Sequence, residues 1–442
     1  MRRPFTNGGA PDGAAGAREG GSAGSPASRR DVPLLFATRA VRLFAYGLVS
    51  VVLVLHLAAA GLDQRKAGLL LTLTLAGDTV ISLFITTHAD RGGRRRMLLA
   101  GSLLMAAAGA VFATASSFWA LLAAATAGII SPSGNEVGPF LAIEQAALAQ
   151  ELPAERRTGA FAWYQLTGAG ATALGSLCGG ALAEGLQRAG WAPLASYRAV
   201  SAGYGALGAV LLVLFTRLSP AAEAPAAPPP AAAGAAREKG AGMFADFLGL
   251  HRSRAVVLRL SALFSLDAFA GGFVVQSFAA WWFHERFGAS PALLGSIFFG
   301  ANILAGLSAL AAAPLARRIG LVNTMVATHL PSNVLLLLVP LMPTLPLAVA
   351  VLFLRFSISQ MDVPTRQSYT IAVVDPGERS AAAGVTGIAR TVGSSLSPLA
   401  AGPLYAVPAL SGVPFAIAGL LKIVYDLALW RMFRKVKPPE EA

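Results

Sequence analysis

Ionisable residues inside long apolar stretches of the sequence are informative, because a charge there is costly and must face a partner, a cavity or a transport path, and eight of them are our candidates. They are Arg42, Asp78, Glu136, Glu144, Asp267, Arg355, Asp362 and Arg366. Because burial disfavours the charged form of a carboxyl group, Asp78 and Asp267 could take up a proton or bind a cation. The alternative for both is a structural ion pair with Arg42 or Arg355.

The segment SPSGNEVGP contains Asn135 and Glu136 between Pro132 and Pro139. Two prolines this close can loosen a helix and expose backbone carbonyls to a substrate, although a kink capped by polar groups would give the same pattern. The residues that we expect along a substrate or proton pathway are Glu136, Asp78, Asp267, Asn135, Arg42, Arg355 and Gln276.

The composition indicates that these residues lie in membrane-spanning helices. Of 442 residues, 55% are hydrophobic and 13% charged, with a mean hydropathy of +0.61. A bilayer-crossing helix needs about 20 apolar residues. The chain offers twelve runs, with the fourth and tenth long enough to bend: 36–60, 67–88, 97–114, 117–148, 158–184, 197–216, 256–283, 291–313, 321–340, 344–373, 381–407 and 411–433.

The net charge of +13 is spread over short clusters between apolar runs. This distribution is typical of cytoplasmic loops and argues against a nucleic-acid partner. The single Cys178 excludes an internal disulfide framework, and the five histidines are scattered. No metal or cofactor is therefore expected. No Walker-type phosphate loop is present, which argues against ATP as the energy source.

A Pro/Ala-rich segment divides the chain into two halves of six runs. We predict a disordered cytoplasmic tail (1–32), a first six-helix half (33–218), a cytoplasmic linker that could include a surface helix (219–253), a second half (254–434) and a cytoplasmic tail (435–442). Glu155 and Arg156 recur 223 positions later as Glu378 and Arg379, which indicates duplicated halves with a pathway between them.

Glu144 and Arg366 occupy corresponding places in these halves. A salt bridge that latches the halves together is the expected role of this pair, with substrate contact as the alternative. Asp362 lies one helical turn from Arg366 and could pair with it instead.

The most specific motif is HADRGGRRRML at 88–98, between the second and third runs. It resembles the loop signature of the major facilitator superfamily, Gly-x-x-x-Asp-Arg-x-Gly-Arg-Arg/Lys, with Thr86 in place of the leading Gly. The residues that fit are Asp90, Arg91, Gly93, Arg94 and Arg95. The resemblance implies an alternating-access transporter in which this loop is a conformational latch.

We therefore predict an all-α polytopic membrane protein, with twelve transmembrane helices in two pseudo-symmetric six-helix halves. The expected function is proton-coupled efflux of a small organic solute across the plasma membrane, with both termini cytoplasmic. The alternative is uptake or facilitated diffusion by the same fold. A membrane enzyme or sensor is disfavoured because it would need clustered His, Cys or paired carboxylates. The expected partners are the solute, protons and lipid, and the protein is expected to be a monomer.

Overall fold

The computed structural model describes residues 28–135, 140–152, 154–223, 252–375 and 378–436, with the backbone alone described at 28–30, 85–92, 154–159, 221 and 380. Within these ranges the chain forms seventeen α-helices and three short 3-10 helices, without a strand. Nine helical segments are long and apolar enough to cross a membrane, and two shorter apolar helices accompany them. The predicted all-helical membrane fold is confirmed.

The first half contains eight helices. They are α1 (Ser28–Ser50), α2 (Leu53–Ala59), α3 (Gln64–Gly92), α4 (Arg94–Thr114), α5 (Phe118–Ala127), α6 (Phe140–Glu151), α7 (Ala154–Arg188) and α8 (Pro193–Thr216). The second half contains nine. They are α9 (Arg254–Gly272), α10 (Gln276–Phe287), α11 (Pro291–Leu310), α12 (Ala312–Ile319), α13 (Leu321–Leu338), α14 (Leu345–Phe356), α15 (Asp362–Ala372), α16 (Arg379–Tyr405) and α17 (Val413–Phe433).

Several predicted spans are broken into two helices. The first span is α1 and α2, the fourth α5 and α6, the seventh α9 and α10, and the tenth α14 and α15. In the fourth, Ile129 has a φ of 56° and Gly134 a φ of 70°, a left-handed backbone that a continuous α-helix cannot contain. The Ser131 hydroxyl donates to the Asn135 carbonyl at 2.7 Å, which satisfies one carbonyl freed by the break.

The halves meet through helices with small residues. α7 packs against α11, and α3 packs against α16. A Cβ on Gly180 would lie 2.1 Å from the Pro291 carbonyl oxygen, and one on Gly402 would lie 2.4 Å from that of Gln64. Glycine is what allows these backbones to approach so closely. Both contacts lie at the end of the molecule that carries the turn at Gly288, which we call the sealed end.

The halves separate toward the opposite end, which carries the turns at Gly93 and Gly320 and which we call the open end. On α16, a Cβ on Gly384 or Gly387 would meet nothing within 4 Å, whereas Gly393 and Gly402 are in close contact with α9 and α3. α16 thus leaves α3 as it runs from the sealed end to the open end. The result is a space between the halves that opens at one end.

Candidate functional site

The first buried cluster of charged residues joins α1 to α6. Arg42 donates to both carboxylate oxygens of Glu144, at 2.8 and 2.7 Å, and both side chains are fully buried. This fork-to-fork arrangement is the geometry in which a guanidinium binds a carboxylate most strongly. The Arg42 guanidinium also lies 4.8 Å from the centre of the Phe140 ring.

Neutral groups from α1 and α7 complete this first cluster. Thr38 donates its hydroxyl to Glu144 at 2.8 Å, and the Tyr164 hydroxyl donates to the other carboxylate oxygen. Arg39 lies 4.2 Å from the Tyr164 ring centre and donates to the Gln165 side-chain carbonyl at 2.5 Å. Glu144 is thus surrounded by donors from two helices, α1 and α7, as a buried carboxylate requires.

The second cluster lies in the other half and is centred on Asp267 of α9. Lys422 of α17 donates to one carboxylate oxygen at 2.5 Å, and Arg366 of α15 donates to the other at 3.0 Å. Arg366 also lies 3.3 Å from Asp362, one turn earlier on α15. All four side chains are at most 9% exposed. The ion pairs of Asp267 therefore link α9 to α15 and to α17.

A histidine extends the second cluster to a third carboxylate. His329 of α13 lies 3.7 Å from Asp267 through Nε2 and 2.8 Å from Asp426 through Nδ1. The Asn333 amide donates to the other oxygen of Asp426 at 2.8 Å. An imidazole between two carboxylates can bind a proton at one nitrogen and release it at the other.

Two further arginines face the second cluster without a salt bridge to any described residue. Arg355, in the last turn of α14, is within electrostatic range of Asp267 and Asp362. Arg390 of α16 is repelled by Arg366 and attracted by Asp267 and Asp362. The Nε atoms of both are shielded from solvent and have no hydrogen-bond partner within the described part of the chain. A guanidinium N–H in this state can donate a hydrogen bond to an oxyanion.

The sealed end is held by neutral hydrogen bonds between the halves. Gln276 donates to the hydroxyls of Ser50 and Ser176 in the first half, at 2.8 and 3.1 Å, and is itself held by Asn302 of the second half, which donates to the Gln276 carbonyl at 3.2 Å. The Ser277 hydroxyl lies 2.7 Å from the Ser50 carbonyl oxygen. Uncharged bonds of this kind can break at low cost when the halves move.

The charged motif at 88–98 lies at the open end, where α3 turns into α4. Gly93 has a φ of 92°, which favours glycine. The Glu223 carboxylate accepts from the backbone amides of Arg94 and Arg95 at 2.5 and 3.2 Å, and so caps α4. The Arg94 side chain donates to Gln150 at 3.0 Å. Asp90 and Arg91 are in the last turn of α3, and their side chains lie outside the described part of the structure.

The expected bridge between Glu144 and Arg366 is not what the structure shows. Glu144 is bound by Arg42 in its own half, and Arg366 is bound by Asp267 and Asp362 in the other. Each charge finds a partner on a neighbouring helix of its own bundle, where it remains neutralised when the halves separate. The alternative pairing of Arg366 with Asp362 is the one observed.

The remaining predicted site residues fall in different places. Asp78 is buried, lies 3.5 Å from the Ser82 hydroxyl and is within electrostatic range of Tyr204 on α8, so it faces the first half. Asn135 is exposed. Glu136 lies outside the described residues. Asp267 pairs with Arg366 and Lys422, whereas the ion pair considered from the sequence was with Arg42 or Arg355.

Five residues of these clusters were not predicted: Arg39, His329, Arg390, Lys422 and Asp426. Each lies within a predicted span, so the rule that selected Asp267 also applies to them. The partners Thr38, Tyr164 and Asn333 carry no such signal, because hydroxyls and amides are common in membrane helices.

Known proteins resemble this chain over most of its length. The sequence profile described as Major Facilitator Superfamily matches residues 35–398. A Saccharomyces cerevisiae membrane protein, YJR124C, is 31% identical over 428 residues, which cover 91% of this chain and 94% of that protein.

Two solved transporter structures share the fold. A bacterial homologue of the human lysosomal transporter Spinster, in an inward-facing and unoccupied conformation, has a TM-score of 0.67 and 16% identity, covering 92% of this chain and 95% of its own. A D-xylose–proton symporter has a TM-score of 0.66 and 15% identity, covering 92% and 98%. The chain belongs to the Major Facilitator Superfamily, and its two halves form a membrane transporter that works by alternating access.

Proposed function

We propose that the protein is a proton-coupled secondary transporter of a small organic solute, and that Asp267 takes up and releases the proton. The observation that carries this proposal is the position of Asp267, a 5%-exposed carboxylate bound at once by α15 and α17. It lies 13 residues into α9, which is about 20 Å at 1.5 Å per residue. An ionisable residue at this depth is a functional site by default.

Protonation of Asp267 would change the contacts among several helices. Its neutral form would no longer neutralise Lys422 and Arg366, so the links from α9 to α17 and α15 would weaken. The titratable and charged groups that face Asp267 from the helices packed around it are His329, Arg355, Asp362, Arg366, Arg390, Lys422, Tyr425 and Asp426. His329 connects Asp267 to Asp426 and offers a path for the proton.

The direction of transport and the orientation of the chain are also part of the proposal. The basic loops support cytoplasmic termini and a plasma-membrane location, which would make the open end cytoplasmic and this conformation inward-open. The sequence favours efflux by exchange with protons, and uptake or facilitated diffusion is the alternative. A single chain carries both clusters and both sides of the pathway, which supports a monomer as the working unit.

Transport by the purified protein in liposomes tests the proposal. Solutes of different charge are offered under an imposed pH gradient of either sign, and accumulation is measured. We expect Asp267→Asn to lose gradient-driven accumulation while keeping solute exchange at equal pH, because exchange needs no proton transfer. Asp63→Asn is the matched control, since Asp63 caps α3 in an exposed turn and asparagine caps equally well.

Two outcomes contradict the proposal. Failure of every gradient to move any solute would exclude the transporter function. Unchanged accumulation by Asp267→Asn would exclude Asp267 as the proton site. The companion variant Asp78→Asn then shows whether the buried carboxylate of the first half takes that role.

A further inference from the structure

We infer that the solute is a small organic anion, and that Arg390 and Arg355 bind its oxyanion group. This inference rests on the proposed transport function and adds the chemical class of the solute. The binding place is the second cluster, where α14, α15 and α16 bring Arg355, Arg366 and Arg390 around Asp267 and Asp362. The oxyanion could be a carboxylate or a phosphate, because a guanidinium binds both in the same way.

The first argument is the charge of the second cluster. Four cationic side chains, Arg355, Arg366, Arg390 and Lys422, face three carboxylates, Asp267, Asp362 and Asp426. With His329 counted as neutral, one positive charge is in excess. An uncompensated charge inside a membrane protein is costly, so the site attracts an anion.

The second argument is how the carboxylates are already used. Asp267 is shared by Lys422 and Arg366, and Asp362 is bound by Arg366. Asp426 is 2.8 Å from His329 and does not contact an arginine within the described residues. Arg355 and Arg390 therefore keep their hydrogen-bonding edges for a ligand, and the buried Nε atom of each has no partner in the described parts of the chain.

The third argument is the direction in which Arg390 points. Val392, Leu396 and Leu399 of α16 are 46%, 52% and 49% exposed, as expected of a lipid-facing stripe. At 100° per residue, Arg390 lies on the opposite side of the helix. Gly387, one turn closer to the open end, borders empty space. Arg390 is thus half-buried, on the side of α16 away from this stripe and one turn from Gly387.

The fourth argument concerns Arg355, which lies where the tenth span is interrupted. α14 ends at Phe356, and α15 begins at Asp362. The Arg355 guanidinium lies 4.9 Å from the Phe356 ring centre, a contact that positions the group without neutralising it. The two arginines are on different helices, so a bound anion would bridge α14 and α16 and favour one arrangement of the second half.

An anion in this place also determines how proton and solute are coupled. Negative charge beside Asp267 disfavours its ionised form, so the anion and the proton stabilise each other's binding. Solutes and protons that bind together cross together. For an anionic solute, co-transport therefore replaces the exchange that the sequence favours.

Ligand-induced thermal stabilisation of the full-length protein in detergent tests this inference. The probes are benzoate, succinate and glycerol 3-phosphate, each compared with its neutral analogue, benzamide, succinamide or glycerol, at constant ionic strength. We expect at least one anion to raise the Tm of the wild type by more than its analogue does. Arg390→Gln and Arg355→Gln should each weaken that anion's binding at least tenfold, and Arg390→Lys should retain part of it.

The matched control is Arg431→Gln, because Arg431 is exposed on α17 and lies on the side opposite Lys422. Its affinity for the anion should equal that of the wild type. The Tm of each variant without ligand shows whether the variant is folded. If Arg390→Gln does not fold, the anion affinity of Arg390→Lys provides the test.

Two results of the binding experiment overturn the inference: no anion stabilises the wild type more than its neutral analogue, or the glutamine variants bind the anion as the wild type does. Gradient-driven movement of neutral or cationic solutes alone would also overturn it and would leave the proposed transport function standing. Conversely, anion binding that depends on Arg390, without movement of any solute in liposomes, would contradict the transport function and support the anion site.

Discussion

The buried Arg42–Glu144 pair joins two helices of the first half, and the cost of burying its charges can be measured. Removing one member leaves the other buried without its counter-charge, which costs about 3–5 kcal/mol. We therefore expect Glu144→Gln and Arg42→Gln each to lower the Tm markedly. The double variant Arg42→Leu/Glu144→Leu should recover much of the loss, because it leaves no buried charge.

The pair Arg188–Glu184, whose arginine is exposed, provides the control for this double-mutant comparison. The Arg188 side chain is 79% exposed, so Arg188→Gln should change stability by about 1 kcal/mol or less. Additive effects of the two single substitutions in the Arg42–Glu144 pair would show that the pair is not coupled, contrary to the geometry.

At the level of single residues, the sequence identifies charges but not their partners. Asp267, Arg366 and Glu144 could be selected because an ionisable residue in an apolar span is informative in itself. That Arg42 binds Glu144, and Lys422 binds Asp267, depends on contacts between helices more than a hundred residues apart. The direction in which a side chain points does not follow from the sequence, because the predicted span boundaries are accurate only to within a few residues.

At the level of helices, the seal between the halves depends on glycine. A Cβ on Gly180 of α7 would clash with the Pro291 carbonyl oxygen of α11. We expect Gly180→Ala to separate the two helices at the sealed end and to favour conformations in which that end opens. A cysteine introduced at the buried Ser277, in a Cys178→Ala background, should then react faster with a membrane-impermeant maleimide.

Gly185→Ala is the matched control, because Gly185 is on the same helix and its Cβ would meet nothing within 4 Å. It should leave the labelling rate of the Ser277 cysteine unchanged. Equal labelling in the two alanine variants would mean that the close contact of α7 with α11 does not hold the end shut.

The loop between α3 and α4 allows a separate prediction about the rate of switching. Asp90 lies in the last turn of α3, beside the tight turn at Gly93, and the resemblance to the family signature implies that it acts as a latch. We expect Asp90→Asn to slow transport several-fold with little change in the affinity for solute, because the loop lies away from both buried clusters. A large loss of binding, measured by solute-induced Tm shifts, would contradict the latch.

The helices themselves were largely predictable, whereas their interruptions were only partly so. Apolar runs of about 20 residues revealed the spans, since the membrane leaves the backbone few alternatives. The kink of the fourth span could be expected from Pro132 and Pro139. The break of the seventh span at 273–275 has no proline or charge to mark it, and only the hydrogen bonds of Gln276 and Ser277 with the other half reveal its role.

At the level of the whole molecule, the two buried clusters differ in their charge balance and in the number of helices that they join. In the first, one carboxylate is enclosed by Arg42, Thr38 and Tyr164 and holds α1, α6 and α7 together. In the second, charges from five helices of one half meet, with an excess of positive charge beside the open pathway. The proposed proton site and the proposed anion site therefore both lie in the second half.

This arrangement predicts which gradient drives transport. A monovalent anion that crosses with one proton carries no net charge, whereas each uncompensated charge would gain about 2.3 kcal/mol per 100 mV. We therefore expect an acidic outside to drive accumulation of the anion into liposomes. A potassium diffusion potential of either sign, at equal pH, should drive no accumulation.

Accumulation that requires an acidic inside would show exchange, and accumulation driven by an inside-positive potential would show an uncoupled anion carrier. In Asp267→Asn the pH gradient should lose its effect while exchange of labelled for unlabelled anion continues, because the proton site is then occupied by a permanently neutral side chain.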